Sequence, residues 1–362
     1  IKSTHGEQVR VVSPVRGYMG CDSGELHFGL GNATVVDGMT IRWPSGRVQI
    51  LTKLEVNHRH LISEPEQDSV IAGEEPEKPI FRMVAFEPSK HHETPFDDFS
   101  VQPLLPNKLS HFGPAMAWVD VTGEGQVDLF YGGAKGQPSQ LWIQRQGGNF
   151  AGVPTPVFAE DRECEDIDAT FFDADGDGDL DLYVVSGGVE AAGADELRDR
   201  LYLNSGRGFT RAPEGSLPDL AFSGGCVAAA DYDGDGDTDL FVGARVTPGQ
   251  YPLAPPSVLL RNDGTGKFSK VDGDDFAKLG MVTDAVWADA NGDERPDLLI
   301  TSEYGAVSYL ENLGEGNFQE KNSYAQLSGR HGWWNCIASG DVDGDGDLDF
   351  AVGNFGHNTK YH

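Results

Sequence analysis

Basic residues are scarce in this chain. Against 58 Asp and Glu stand only 27 Lys and Arg, a formal net charge of −31 over 362 residues. A surface this acidic repels phosphate backbones and anionic lipid, so no nucleic-acid partner is expected. Long apolar runs are also missing. None approaches the ~20 residues that a bilayer-spanning helix needs, so no membrane insertion is expected in this segment. Cysteine is rare, with Cys21, Cys164, Cys226 and Cys336 and no CxxC pair, which argues against a cysteine-rich zinc site. Cys226 and Cys336 each precede an Asp-rich loop by five residues on an apolar strand. They are expected as free core thiols. The first residue is Ile1, so the lack of a leader peptide carries no information.

Glycine is abundant at 47 residues, and aromatic and β-branched residues remain plentiful. That mix predicts many short strands joined by tight turns. Internal repeats dominate the pattern. Five nonapeptides recur: DVTGEGQVD from Asp120, DADGDGDLD from Asp173, DYDGDGDTD from Asp231, DANGDERPD from Asp289 and DVDGDGDLD from Asp341. Their starts lie 53, 58, 58 and 52 residues apart, a period that suits one four-stranded propeller blade. These windows hold 22 of the 58 acidic residues. Charges packed so closely repel one another unless a cation lies among them.

Calcium is the expected cation, because it takes six to eight oxygens, mostly carboxylate and carbonyl. In the second loop Asp173, Asp175 and Asp177 occupy positions 1, 3 and 5, Asp179 offers its main-chain oxygen at position 7, and Asp181 closes the loop at position 9. The third loop repeats this with Asp231, Asp233, Asp235, Asp237 and Asp239. The fifth does so with Asp341, Asp343, Asp345, Asp347 and Asp349. The fourth offers Asp289, Asn291, Asp293, Arg295 (through its main chain) and Asp297, with Glu294 replacing a glycine at position 6. The first offers Asp120, Glu124 and Asp128, with Thr122 at position 3. The three complete loops are expected to fill first, the Asp289 loop next, and the Asp120 loop last or never. An EF-hand would need a Glu at position 12 and flanking helices. Position 12 of the second loop is Val184, inside an apparent strand.

Short apolar runs flank the loops, such as ATFF and LYVVSGG around the second. The small residues before each loop suit the crowded centre of a propeller. A strand, a Gly-rich turn and an aromatic follow each of the first four loops, as in LYLNSGRGF from Leu201 and VLLRNDGTGKF from Val258. These predict outer β-hairpins. The fifth loop has no such hairpin before His362, so the last unit is expected to be truncated and the chain to be part of a longer one with further domains.

Residues 1–64 lack the repeat. There IRWPSGRVQI predicts a hairpin, and HLISE a further strand, in a small separate β-domain. Residues 65–105 form an acidic linker and lead-in, and residues 106–362 the repeats. IFRMVAF, from Ile80 to Phe86, is expected to pack on the propeller as a strand, with a clasp onto residues 1–64 as the rival arrangement.

In these loops and in the strands DLYVVSGG, DLFVGA and DFAVGN, residues 106–362 resemble FG-GAP or VCBS repeats, the blades of integrin alpha-subunit propellers. The resemblance implies side-chain ligands at positions 1, 3, 5 and 9 and a main-chain ligand at position 7. The segment PVRGYMGCDSGELHFGLGNATVVDGMTIRWPSGRVQ, from Pro14 to Gln49, is similar to the ASPIC/UnbV domain of cartilage acidic protein-like secreted proteins. Together they imply an extracellular or cell-surface setting without an established catalytic activity.

Other features carry less. His58 and His60 alternate on one strand, and His91, His92 and Glu93 cluster in a polar connector. Neither group shows a full zinc-ligand set. Asn32-Ala-Thr34 fits the glycosylation pattern. Trp333 and Trp334 can stack on a sugar, yet core packing of at least one is favoured. The expected fold is all-β, a calcium-binding propeller of about five units behind a small β-domain. The expected function is a non-enzymatic adhesion or recognition module for a protein or polysaccharide ligand. The alternative is a propeller-scaffold hydrolase or lyase acting on polysaccharide, which needs convergent acids and bases outside the loops.

Overall fold

The computed structural model describes residues 1–4, 6–12, 25–65, 86, 90–191, 193–273, 275–323 and 325–356. The chain divides into two units, Ile1–Arg82 and Met83–His362.

The first unit is a four-stranded antiparallel sheet. Its order is Gly6–Glu7, Lys2–Ser3, Val35–Arg42 and Val48–Glu55. The predicted hairpin forms, with Arg42 opposite Val48 and a turn closed by Trp43 N–H to the Arg47 carbonyl at 2.8 Å. Gly46 takes φ +87°, the left-handed conformation that only glycine adopts without strain. HLISE does not form the expected strand. Leu61 is 96 % exposed, so pairing would bury no apolar face. Glu64 instead ties the segment to the turn through the Arg47 guanidinium at 3.1 Å.

The second unit repeats one antiparallel meander. Blade one comprises Met116–Val119, Asp128–Tyr131, Gln140–Arg145 and Asn149–Val153. Blade two comprises Asp166–Phe172, Asp181–Ser186, Arg200–Asn204 and Phe209–Arg211. Blade three comprises Ser223–Ala230, Asp239–Val246, Val258–Asn262 and Phe268–Lys270. Blade four comprises Met281–Ala288, Asp297–Ala306, Ser308–Asn312 and Phe318–Glu320. The fifth unit contributes His331–Gly340 and Asp349–Asn354 among the described residues. First strands of successive blades are neighbours, so they are the inner strands and the hairpins lie outside. The end of Asp297–Ala306 also pairs with the fifth unit, Glu303 opposite Trp333, which joins the last two blades into one sheet.

Apolar clusters fill the space between adjacent blades. Phe130, Leu141 and Phe158 meet Leu182, Val184 and Tyr202, and Phe241 and Leu259 meet Leu298, Ile300 and Phe318. A blade covered on both faces buries every residue of its second strand. Asp181–Ser186 and Asp239–Val246 do so, and they read as continuous apolar runs. In the fifth unit Asp349–Asn354 is only half covered. Cys336 lies on that outer unit and is exposed, against the expectation of a core thiol, because no further described blade covers it. Cys164 and Cys226 are free and buried. Of the Ile80–Phe86 segment only Phe86 is described. It packs edge-on against Trp142 at 4.9 Å and Phe150 at 5.2 Å in blade one. Its other residues, like Cys21, lie outside the described ones.

The lead-in packs on the repeats. Buried Asp98, in the short helix Asp98–Val101, accepts the N–H groups of Leu109 and Ser110 at 2.7 and 2.9 Å. Gln102 exchanges two hydrogen bonds with the main chain of Tyr251 in blade three.

A buried ion pair in blade two anchors a carboxylate that also bonds blade one. Arg200 meets Asp166 at 2.7 Å, and the other Asp166 oxygen accepts Gly133 N–H at 2.7 Å and the Ser139 hydroxyl. Arg200→Met alone strands the carboxylate in the core and is expected to cost about 3–5 kcal/mol. Arg200→Met with Asp166→Leu should recover most of that loss. Denaturant midpoints check both, and a single variant as stable as the parent contradicts the assignment.

Candidate metal loops

Each nonapeptide joins a first strand to a second. Its first aspartate folds the loop by accepting main-chain N–H groups. Asp173 takes Gly176 at 2.8 Å and Gly178 at 2.9 Å, and Asp341 takes Gly344 at 2.7 Å and Gly346 at 3.1 Å. Asp231 does the same with Gly234 and Gly236. The glycines at positions 4 and 6 adopt positive φ in all three loops. The ninth residue begins the second strand and is buried in the first four loops. Asp181 accepts Ala174 N–H at 2.8 Å from its own loop and Asn204 N–H at 2.7 Å from the third strand. Asp128, Asp239 and Asp297 accept the matching third-strand N–H of Gln144, Asn262 and Asn312, each at 2.8 Å.

Three loops gather carboxylates around one point. One oxygen from each of Asp173, Asp175 and Asp181 lies within 4.8 Å of the others. Asp231, Asp233 and Asp239 form the same trio, as do Asp341, Asp343 and Asp349. Positions 1, 3 and 9 therefore converge. Asp177 and Asp235, at position 5, lie outside the trios, and each accepts the N–H of position 7, from Asp179 and Asp237. Asp345 and Asp347 repeat that pair at 2.9 Å. In the third loop Asp233 Oδ1 and Asp239 Oδ2 are buried and take no hydrogen bond, so these donors could hold a cation. Arg261 holds the outer oxygens of Asp233 and Asp235 at 3.0 Å each.

The electrostatics match this crowding. Burial pushes Asp181 up to about 6, with Asp175 and Asp177 adding repulsion. Burial pushes Asp239 up to about 7, with Asp233 and Asp235 beside it. Asp175 is raised by burial and by Asp177.

The other two loops satisfy their carboxylates with hydrogen bonds. In the first, the Thr122 hydroxyl lies 3.3 Å from Asp120 and 3.4 Å from Asp128, bridging positions 1 and 9. Glu124 pairs loosely with Arg145 at 3.7 Å. In the fourth, Arg295 turns its guanidinium onto Asp293, and the Tyr309 hydroxyl donates to Asp297 at 2.8 Å. Asp289 accepts Gly292 and Glu294 N–H groups, and Asn291 accepts Asp293 N–H at 2.9 Å. Glu294 takes φ +67°, where the complete loops have glycine.

Interblade latches escaped the sequence reading. Asn262 Nδ2 donates to the Ala174 carbonyl of the preceding blade's loop at 2.9 Å, and Asn312 Nδ2 donates to that of Tyr232 at 2.7 Å. The signal was the Asn that recurs in LYLN, LLRN and YLEN. Among the histidines, His58 and His60 are exposed and bond the carbonyls of Val56 and Glu55 at 2.8 Å. His92 is exposed, while His91 bonds Glu93 at 2.7 Å. Trp334 packs into the core with Leu299 and Ile337.

Blades of four antiparallel strands, each with an Asp-rich loop before its second strand, define an all-β repeat propeller with acidic clusters able to hold metal ions. The FG-GAP-like repeat model matches residues 120–184, 187–242 and 289–352, just over half of the chain. The chain belongs to the FG-GAP-like repeat family, and its residues 1–69 match the ASPIC and UnbV model. No curated protein matches it. Among solved structures it is similar to the Vibrio cholerae biofilm matrix protein Bap1, at 17 % identity and TM-score 0.33, covering 62 % of this chain and 30 % of that one. It is also similar to the exotype rhamnogalacturonan lyase YesX, at 16 % identity and TM-score 0.35, covering 67 % and 56 %. A Bacillus licheniformis rhamnogalacturonan lyase matches at 15 % identity and TM-score 0.33, covering 67 % and 58 %. The chain thus spans less than two thirds of each.

The raised carboxyls give a pH test. Folded values of about 6 and about 7 stand above the ~3.9 of an unfolded Asp. From about pH 4 to 7 the folded chain therefore holds more protons, and these groups' contribution to stability falls as pH rises. A cation that replaces the protons removes the loss. Metal-free protein should melt higher at pH 5 than at pH 7.5, and saturating calcium should abolish or reverse that order. An order unchanged by calcium contradicts the cation assignment.

Proposed function

We propose that this chain is an extracellular, calcium-stabilised recognition module that binds a polysaccharide or protein ligand without transforming it. Calcium is the ion of choice because the loops offer hard oxygens only. Asp173, Asp175 and Asp181, with their counterparts in the third and fifth loops, are the ligands the geometry favours. Asp175→Ala should remove one bound ion from the calcium-loaded protein, whereas Thr122→Ala should remove none. Native mass spectrometry reads both, and equal losses would contradict the ranking.

The observation that carries the recognition reading is an aromatic platform at the ends of the blades opposite the loops. Trp333 stacks on Phe355 with centroids 4.5 Å apart and planes at 16°, and Tyr304 lies 5.2 Å away. Tyr304 is 54 % exposed and sits at φ +62°. An exposed aromatic held in a sparsely populated conformation suits a contact residue. Aromatic faces of this kind stack on sugar rings and anchor protein interfaces.

A hydrolase or lyase is the second reading, favoured by Tyr251, Glu303 and Arg245 beside the platform. Tyr251 donates to Glu303 at 2.5 Å and its oxygen lies 3.1 Å from the Tyr304 hydroxyl, while Arg245 pairs with Glu303. Burial and the Glu303 bond raise the Tyr251 phenol well above its ordinary range. It therefore holds its proton, which suits a donor and not a base.

Trp333→Ala should weaken retention on the bound polysaccharide or protein roughly tenfold, a loss of about 1.4 kcal/mol, with melting unchanged. Affinity electrophoresis and protein arrays in calcium supply the measurement. Release of ultraviolet-absorbing unsaturated ends or of reducing ends would hand the case to the enzyme. Unaltered binding by the variant would reject the platform.

A further inference from the structure

We propose a second kind of cation site in this chain, built from Glu93, Glu165 and Glu190 and separate from the Asp-rich loops, that takes a divalent cation of calcium size. Glu165 immediately precedes the first strand of blade two, and Glu190 follows its second strand. Glu93 comes from the lead-in. One oxygen from each lies within 4.8 Å of the others. That span is about twice the 2.3–2.6 Å calcium–oxygen bond, so one ion reaches all three.

The cluster is more than a patch of surface acid. Glu165 is 2 % exposed, and neither of its carboxylate oxygens has a hydrogen-bond partner. Glu93 Oε2 and Glu190 Oε1 are likewise buried and unpartnered. Two groups bond the other oxygens of Glu93 and Glu190. His91 Nε2 meets Glu93 Oε1 at 2.7 Å, and Val189 N–H donates to Glu190 Oε2 at 2.9 Å. Lys135 directs its ammonium to Glu196 at 2.6 Å and to the Glu190 carbonyl at 2.9 Å, not to a cluster carboxylate. Gly188, at φ +82°, leaves the room for these oxygens. A Cβ there would lie 2.5 Å from Glu165 Oε2 and 3.0 Å from Glu190 Oε2.

Carboxylates this close and this buried need a positive partner. A proton shared between two of them is one, and a divalent cation is the other. Three oxygen donors favour a hard ion over zinc, and His91 acts as a positioning residue that fixes the Glu93 carboxylate. The site lies at the end of the blades opposite the Asp loops, so the two kinds of site load independently.

Native mass spectrometry of the full calcium-saturated chain tests this. Glu165→Gln and Glu190→Gln should each carry one ion fewer than the parent. Glu165→Gln combined with Asp175→Ala should carry two fewer, because the sites are separate. If Glu165→Gln fails to fold, Glu190→Gln and Glu93→Gln, whose side chains reach the site from less buried positions, provide the same count. An ion count equal to the parent's in the folded glutamine variants overturns the proposal and assigns the cluster to a shared proton.

Discussion

In blades one, two and four the aspartate that opens the second strand takes main-chain N–H groups from two places at once. Asp181 accepts from its own loop and from Asn204 in the third strand, and Asp128 and Asp297 repeat the clamp. The clamp fixes where the loop ends, where the second strand starts and how the third strand registers on it. It also buries a carboxylate beside the loop's other acids. The loop that organises the blade is therefore also its main electrostatic liability. The blades relieve it in different ways. Thr122 bridges the first loop, and Arg295 and Tyr309 serve the fourth. The second, third and fifth present open carboxylate trios.

The same loops set the spacing between blades. Asn262 and Asn312 reach back to main-chain carbonyls in the preceding blade's loop, so a distorted loop disturbs its neighbour. Between these latches the sheets pack through apolar clusters that exclude water from both faces of the middle blades. A cation held in one loop would thus stabilise more than its own nine residues. On the opposite end, the buried Arg245–Glu303 pair ties blade three to blade four, and Asp166, paired with Arg200 inside blade two, takes Gly133 and Ser139 of blade one. That end is polar and aromatic, and it is free of the Asp loops.

Much of this fold was legible because its signals are local and repeated. The nonapeptides, the apolar second strands and the Gly-turn hairpins each recur at one period, and each became the element expected. Contacts that join distant segments were not legible. Glu93, Glu165 and Glu190 are dispersed along nearly a hundred residues, and only the blade geometry brings them together. Tyr309 replaces the leucine of the neighbouring blades, and nothing in a strand pattern says that its hydroxyl reaches Asp297. HLISE has the composition of a short strand, yet it stays unpaired and Leu61 faces solvent. Position 5 of each loop looked equivalent to position 3 by spacing. The turn of the chain instead directs Asp177 and Asp235 to the N–H of position 7 and leaves them outside the trios.

If the convergent trios take calcium and the loops bridged by Thr122 or Arg295 take none, the ions should distinguish the two kinds of loop. Anomalous diffraction from crystals grown in calcium locates the ions directly. Peaks are expected beside Asp173, Asp231 and Asp341, with none between Asp120 and Asp128, where Thr122 bridges the carboxylates. A strong peak in the Asp120 loop, or none in the three trios, would contradict the account.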